Sequence, residues 1–293
     1  TASGSAVVNA AADVSLAGAV SAALVDVEAT GGSLSVNDLT ATSGALTLDA
    51  TGAVSVVGDL TAATTLGVTS SAGGVTQSTG STMSGVGALT VSSRNNAVLA
   101  GAVTGASVTA ASTAGALTVS SLNATTGAID LDAAGAVRLN GNVTAANGLT
   151  VDTTSGGITQ VGGNIAVAAG VTSLAATTDI TLETTTNRFA GAVNANGANI
   201  NLAAAGNLSI GAVSASGDAA LSATNTLNLN GNITAQAVTG RSTTGDVNVG
   251  NVIANTTMTL EALRTVTMTG TIGVQSDLNV TAGRGVIQQP SGV

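Results

Sequence analysis

Short apolar–polar–apolar triplets run the length of the chain, separated by turn-forming residues. Leu46-Thr47-Leu48, Val54-Ser55-Val56, Leu117-Thr118-Val119, Ile129-Asp130-Leu131, Val137-Arg138-Leu139, Leu149-Thr150-Val151, Leu227-Asn228-Leu229 and Met258-Thr259-Leu260 are examples. A period of two places the outer residues on one face and the middle one on the other, as in a half-buried β-strand. Residues 129 to 149 read strand, Ala-Ala-Gly turn, strand, Asn-Gly turn, short strand, Asn-Gly turn. Such crowding leaves no room for a helix. Glycine and Asn at the turns are expected to supply positive φ.

The triplets belong to a longer repeat. An apolar residue, in most cases with Gly two positions before and Ala two positions after, recurs at Val20, Leu39, Leu60, Met83, Val103, Leu122, Val143, Ile165, Val193, Val213, Ile233, Val252 and Ile272; Asn37, Ser81 and Ser120 stand for Gly, and Gly85, Gly105, Val167 and Val274 for Ala. Steps are 19 to 23 residues, except for 28 between Ile165 and Val193. Repeats of this length, each unable to bury its apolar face alone, signal a stacked solenoid. Equivalent strands of successive coils run in the same direction and pair in parallel, and crossover connections default to a right hand. The expected fold is therefore all-β, a right-handed parallel β-helix of about 14 coils. At about 4.8 Å per coil this would be a rod of about 65–70 Å. Residues 1–293 are expected to form one continuous solenoid segment, an internal fragment of a larger repetitive protein. A small insertion near residues 168–188 is expected to emerge as a loop on one face. Gly73-Gly74-Val75-Thr76-Gln77 returns as Gly156-Gly157-Ile158-Thr159-Gln160, with a looser echo in Gly285-Val286-Ile287-Gln288. A longer unit of several coils has been duplicated.

With units such as Leu139-Asn140-Gly141-Asn142-Val143-Thr144-Ala145 and Leu229-Asn230-Gly231-Asn232-Ile233-Thr234-Ala235, and with the Gly-Gly-Ile-Thr-Gln punctuation, the chain resembles the repeat region of filamentous haemagglutinin-like adhesins, exoproteins of two-partner secretion in Gram-negative bacteria. The resemblance covers essentially the whole chain. It implies a secreted, cell-surface β-helical passenger exported through an outer-membrane partner and serving adhesion, cell–cell contact or biofilm matrix. Its partners would be a host or neighbouring-cell surface, glycans or matrix, or other copies of itself.

Composition narrows the alternatives. The chain has one aromatic residue, Phe189, and one proline, Pro290, and lacks Cys, Trp, Tyr, His and Lys. Thick globular cores lean on aromatics; Ala, Val, Leu and Ile can fill a thin interior repeated many times. At 44% hydrophobic and 7% charged, the chain is unlike a disordered segment. No run of 18 apolar residues marks a membrane span. A net charge of −9 with six dispersed arginines disfavours nucleic acid.

Candidate chemistry is sparse. Without His, Cys, Lys or Tyr, acid–base and nucleophilic catalysis would fall to carboxylates, Ser, Thr and Arg. The nearest constellation is Asp130 and Asp132 with Arg138, the kind of outward acid pair that β-helical polysaccharide lyases or hydrolases use; the plainer reading is solvated carboxylates. Asp38, Asp59, Asp218 and Asp246 sit beside turn glycines, where turn chemistry is their expected role. Asn123, Asn142, Asn207, Asn232, Asn255 and Asn279 begin Asn-x-Ser/Thr sequences, which are modification candidates and also a by-product of the repeat. Thr47, Thr118 and Thr150 hold similar places, but Ser, Asp, Asn and Arg break the rank that an ice-binding face would need. No catalytic, metal-binding or cofactor-binding residue is assigned, and no cofactor is expected. The expected function is a structural or adhesive shaft rather than an enzyme, with a self-assembling extracellular filament as the alternative.

Overall fold

A computed structural model describes residues 4–288, so Pro290 lies outside the described residues. Every regular element among them is a strand, from Ser5–Ala10 to Gly285–Gln288, and none is a helix. The strands stack as a parallel β-solenoid of about 14 turns. Contacts divide the chain into two compact units, residues 4–146 with 152–154, and residues 147–151 with 155–288.

One coil of the first unit explains the others. Leu46–Ala50 lies in one sheet, while Val54–Val56 and Leu60–Ala62 lie in the sheet opposite. Leu46, Leu48, Ala50, Val54, Val56, Leu60 and Ala62 all point inward, none more than 5% exposed. The next coil answers residue for residue, with Leu46 beside Leu66, Leu48 beside Val68, Val54 beside Val75 and Leu60 beside Met83. Stacking like on like buries each aliphatic side chain against its counterparts above and below, worth about 1.5–3 kcal/mol apiece. The expected anchor column is continuous here: Val20, Leu39, Leu60, Met83, Val103, Leu122 and Val143 are successive partners.

Most glycines two positions before an anchor have a different cause from the one expected, Gly163 before Ile165 being the one of them with positive φ. Positive φ occurs only at Gly80, Gly148, Gly163, Gly170, Gly206 and Gly285, and at no Asn, among the described residues. What Gly101 and Gly141 supply is the missing side chain. A Cβ there would lie 2.0 Å from the Ser81 carbonyl oxygen and 1.7 Å from that of Ser120, in the coil beneath.

In the second unit the anchor column breaks. Ala166 and Val167 pair with Arg188 and Phe189, which puts Asn187, 22 residues on, beside Ile165. Val193 instead pairs with Thr172 in the opposite sheet. From there the column runs Ala195, Val213, Ile233, Val252 and Ile272. The 28-residue step is thus one coil of 22 plus six residues that carry the motif across the core. Residues 168–188, the expected insertion, hold Thr172–Ala175 and Ile180–Leu182 in register, followed by a turn in which Asn187 N donates to Thr184 O at 3.1 Å. Beyond this point the longer strands Ile200–Ala204, Ala219–Ala223, Val238–Ser242 and Met258–Ala262 continue the sheet begun by Ile158–Gln160. The paired short strands continue the other sheet. Phe189, 5% exposed, fills the core at the crossing.

Candidate functional site

The turn acids are occupied in holding coils together. Asp38 Oδ1 accepts from Asp59 N at 2.9 Å, Asp59 Oδ1 from Thr82 N at 2.7 Å, Asp218 Oδ1 from Ala237 N at 3.1 Å, and Asp246 Oδ1 from Thr265 N at 3.0 Å. Each bond reaches the following coil, a stronger device than a local turn because the acceptor is charged. Gln77 of the Gly-Gly-Val-Thr-Gln stretch faces inward as well, whereas Gln288 in the looser echo is exposed. Gln77, 1% exposed, donates to Ser81 O at 3.0 Å and Ala102 O at 3.2 Å, while its Oε1 stays buried without a partner.

The constellation of Asp130, Asp132 and Arg138 does not assemble. Ile129–Ala133 pairs with Val108–Ser112 in one sheet, whereas Val137–Leu139 pairs with Leu117–Ala124 in the other. Alternation along the chain reports inward or outward but not which sheet, so neighbours in sequence part company at the turn. Asp152 joins the acids instead. Burial, then the charges of Asp132 and Asp152, push the Asp130 carboxyl up, and burial followed by Asp132 does the same to Asp152. Among the described residues no group of Asp and Glu is arranged to hold a metal ion.

Thr47 and Thr118 lie on different sheets of the first unit, so they do not form one rank. Of the sequence-marked asparagines, Asn123 stands between Thr104 and Thr144 on an outer face, and Asn207 Oδ1 accepts from Thr226 N at 3.1 Å. Asn232 is exposed.

Grooves indent both sheets of the second unit, and two of them gather polar side chains over small residues. The first, about 380 Å³, has Ser173, Asn194, Asn196, Ser214, Asn232 and Thr234 around a floor that includes Ala175 and Ala212. It lies at a bulge, where the register slips between Val193 and Asn194 against Ile210 and Ala212. Gly211 is the extra residue, and a Cβ there would come 2.3 Å from Asn194 Oδ1. The second groove, about 250 Å³, runs from Glu183 to Arg241 over Ala203, Ala220 and Ser222. Arg241 Nε is 3.4 Å from Glu261, an exposed pair. Sequence reasoning passed over both grooves. The available signal was the run Asn194-Ala195-Asn196-Gly197, which sets two amides on one face with small residues between.

No curated protein and no solved structure matches the chain. Over residues 135–196, which include the crossing between sheets, it is similar to a family described as Repeats of unknown function (DUF5649).

Proposed function

We propose that this repeat β-solenoid is a structural and adhesive segment of a secreted bacterial surface or matrix protein. The observation that carries the reading is where its polar groups are used. Turn carboxylates, hydroxyls and amides bond to the neighbouring coil, as Asp59 does to Thr82, Ser33 Oγ to Ala53 N and Asn96 Oδ1 to Ala116 N. Such a chain spends its chemistry on coil-to-coil cohesion, which suits a spacer whose work is mechanical. The resemblance of its repeats to filamentous haemagglutinin-like adhesins supports export and a role in adhesion or biofilm. The described residues contain no helix long and apolar enough to cross a membrane.

Antibodies against the chain, applied to intact producing cells and to culture supernatant, test the reading. Surface or extracellular label is expected, together with weaker attachment when the solenoid region is deleted from the native gene. Label confined to the cytoplasm would overturn it, and polymers in the supernatant would favour the filament alternative.

A further inference from the structure

We propose that the groove centred on Asn194 and Asn196 is a binding site for a neutral, hydroxyl-rich saccharide. The argument starts from unspent hydrogen-bonding capacity. Several asparagines of the second unit are partnered along the ladder, as where Asn248 Nδ2 donates to Asn228 Oδ1 at 2.8 Å and Asn199 Nδ2 to Asp179 Oδ1 at 2.9 Å; what distinguishes the groove is that its open amides and hydroxyls gather in one concavity. The side chains of Asn194 and Asn196 make no hydrogen bond among the described residues, nor do the hydroxyls of Ser173, Ser214 and Thr234. Asn232 uses only its oxygen, in a long 3.5 Å contact from Asn251. These six groups converge on one concavity because the bulge at Gly211 and the small residues Ala175 and Ala212 lower its floor.

The chemistry of the lining selects the ligand. An amide offers donor and acceptor side by side, and a hydroxyl does the same, so the set matches groups that also do both. Sugar hydroxyls fit that description. No charged side chain lines the groove, so nothing favours an anionic or cationic ligand. About 380 Å³ falls in the range of small-molecule sites and suits an oligosaccharide of about two or three rings. With no aromatic residue to stack on a ring face, affinity would rest on hydrogen bonds and be modest, about millimolar for one site.

The proposal deepens the adhesive reading by naming a ligand class, and its test is independent of localisation. Purified chain is titrated by calorimetry and saturation-transfer NMR with maltotriose, cellotriose, chitotriose and mannotriose, and with trigalacturonate as the charged comparison. At least one neutral trisaccharide is expected to bind, and trigalacturonate more weakly. Asn194→Ala and Asn196→Ala should each weaken binding about tenfold. Ala212→Leu, which fills the floor, should abolish it, and Asn228→Ala, in the ladder outside the groove, should leave it unchanged. Circular dichroism establishes that each variant keeps the fold. Absence of binding by all four neutral sugars, or binding that survives Ala212→Leu, overturns the site. So does a glycan on Asn232 in native protein, which would occupy the groove covalently. Surface label without sugar binding sinks this proposal alone; sugar binding with cytoplasmic label sinks only the surface reading.

Discussion

Gln160 and Asn187 exchange hydrogen bonds inside the second unit, Gln160 Nε2 donating to Asn187 Oδ1 at 2.9 Å and Asn187 Nδ2 to Gln160 Oε1 at 2.7 Å. Asn187 is fully buried, and its Oδ1 also accepts from Ile165 N at 2.8 Å. It occupies the place an apolar anchor would take. Asn187→Leu restores the apolar pattern yet strands Gln160 Oε1 and the Ile165 N–H, while Gln160 Nε2 keeps its bond to Gly163 O at 2.9 Å. Loss of about 2–4 kcal/mol is expected in denaturant unfolding, and the double variant with Gln160→Leu should recover part of it.

Backbone proximity between coils makes some glycines irreplaceable. Gly141→Ala would force its methyl to 1.7 Å from Ser120 O, so the coils must part, at a cost of about 1–3 kcal/mol. Gly67 on an outward strand position has nothing within 4 Å of its would-be Cβ, and Gly67→Ala should change stability by less than about 0.5 kcal/mol. Thermal midpoints of the two variants compare the sites directly.

Burial and crowding of Asp130 and Asp152 with Asp132 raise both carboxyls above the usual range. A raised value in the folded state means the folded chain holds the proton more tightly than the unfolded one. The resulting cost is present at neutral pH, falls as pH drops through the folded-state values, and is gone below the unfolded values. Asp132→Asn should therefore be more stable than the natural chain at pH 7, with the difference shrinking in acid. Unfolding midpoints measured from neutral pH into the carboxylate range check the sign.

Phe189 pairs with Val167 where the repeat changes sheet. Phe189→Ala should cost about 3–5 kcal/mol, because aliphatic neighbours fixed by their own ladders cannot collapse into the space. Hydrogen exchange should show the loosening centred on residues 165–193.

The repeat and the inward–outward pattern could be read from the residues because they follow from a period of two and a recurring anchor. Leu46-Thr47-Leu48 says which side chains are buried without reference to any other part of the chain. The sheet is another matter. Ile165 and Val193 carry the same Gly-x-apolar-x motif style, yet they lie in opposite sheets, since both walls of a solenoid present the same alternation. The same degeneracy brought Asp130 and Arg138 together on paper and separates them in space. The groove was less visible still. It depends on a one-residue bulge at Gly211 and on side chains lacking partners, and neither leaves a periodic trace.

The crossing also decides how copies of one motif are displayed. Ile158–Gln160, from the Gly-Gly-Ile-Thr-Gln stretch, lies in one wall of the second unit, and its echo Gly285–Gln288 lies in the wall opposite. The six-residue offset between coil and motif thus turns a one-sided label into a two-sided one. Selection can then act on either flank separately while the interior keeps a single packing rule.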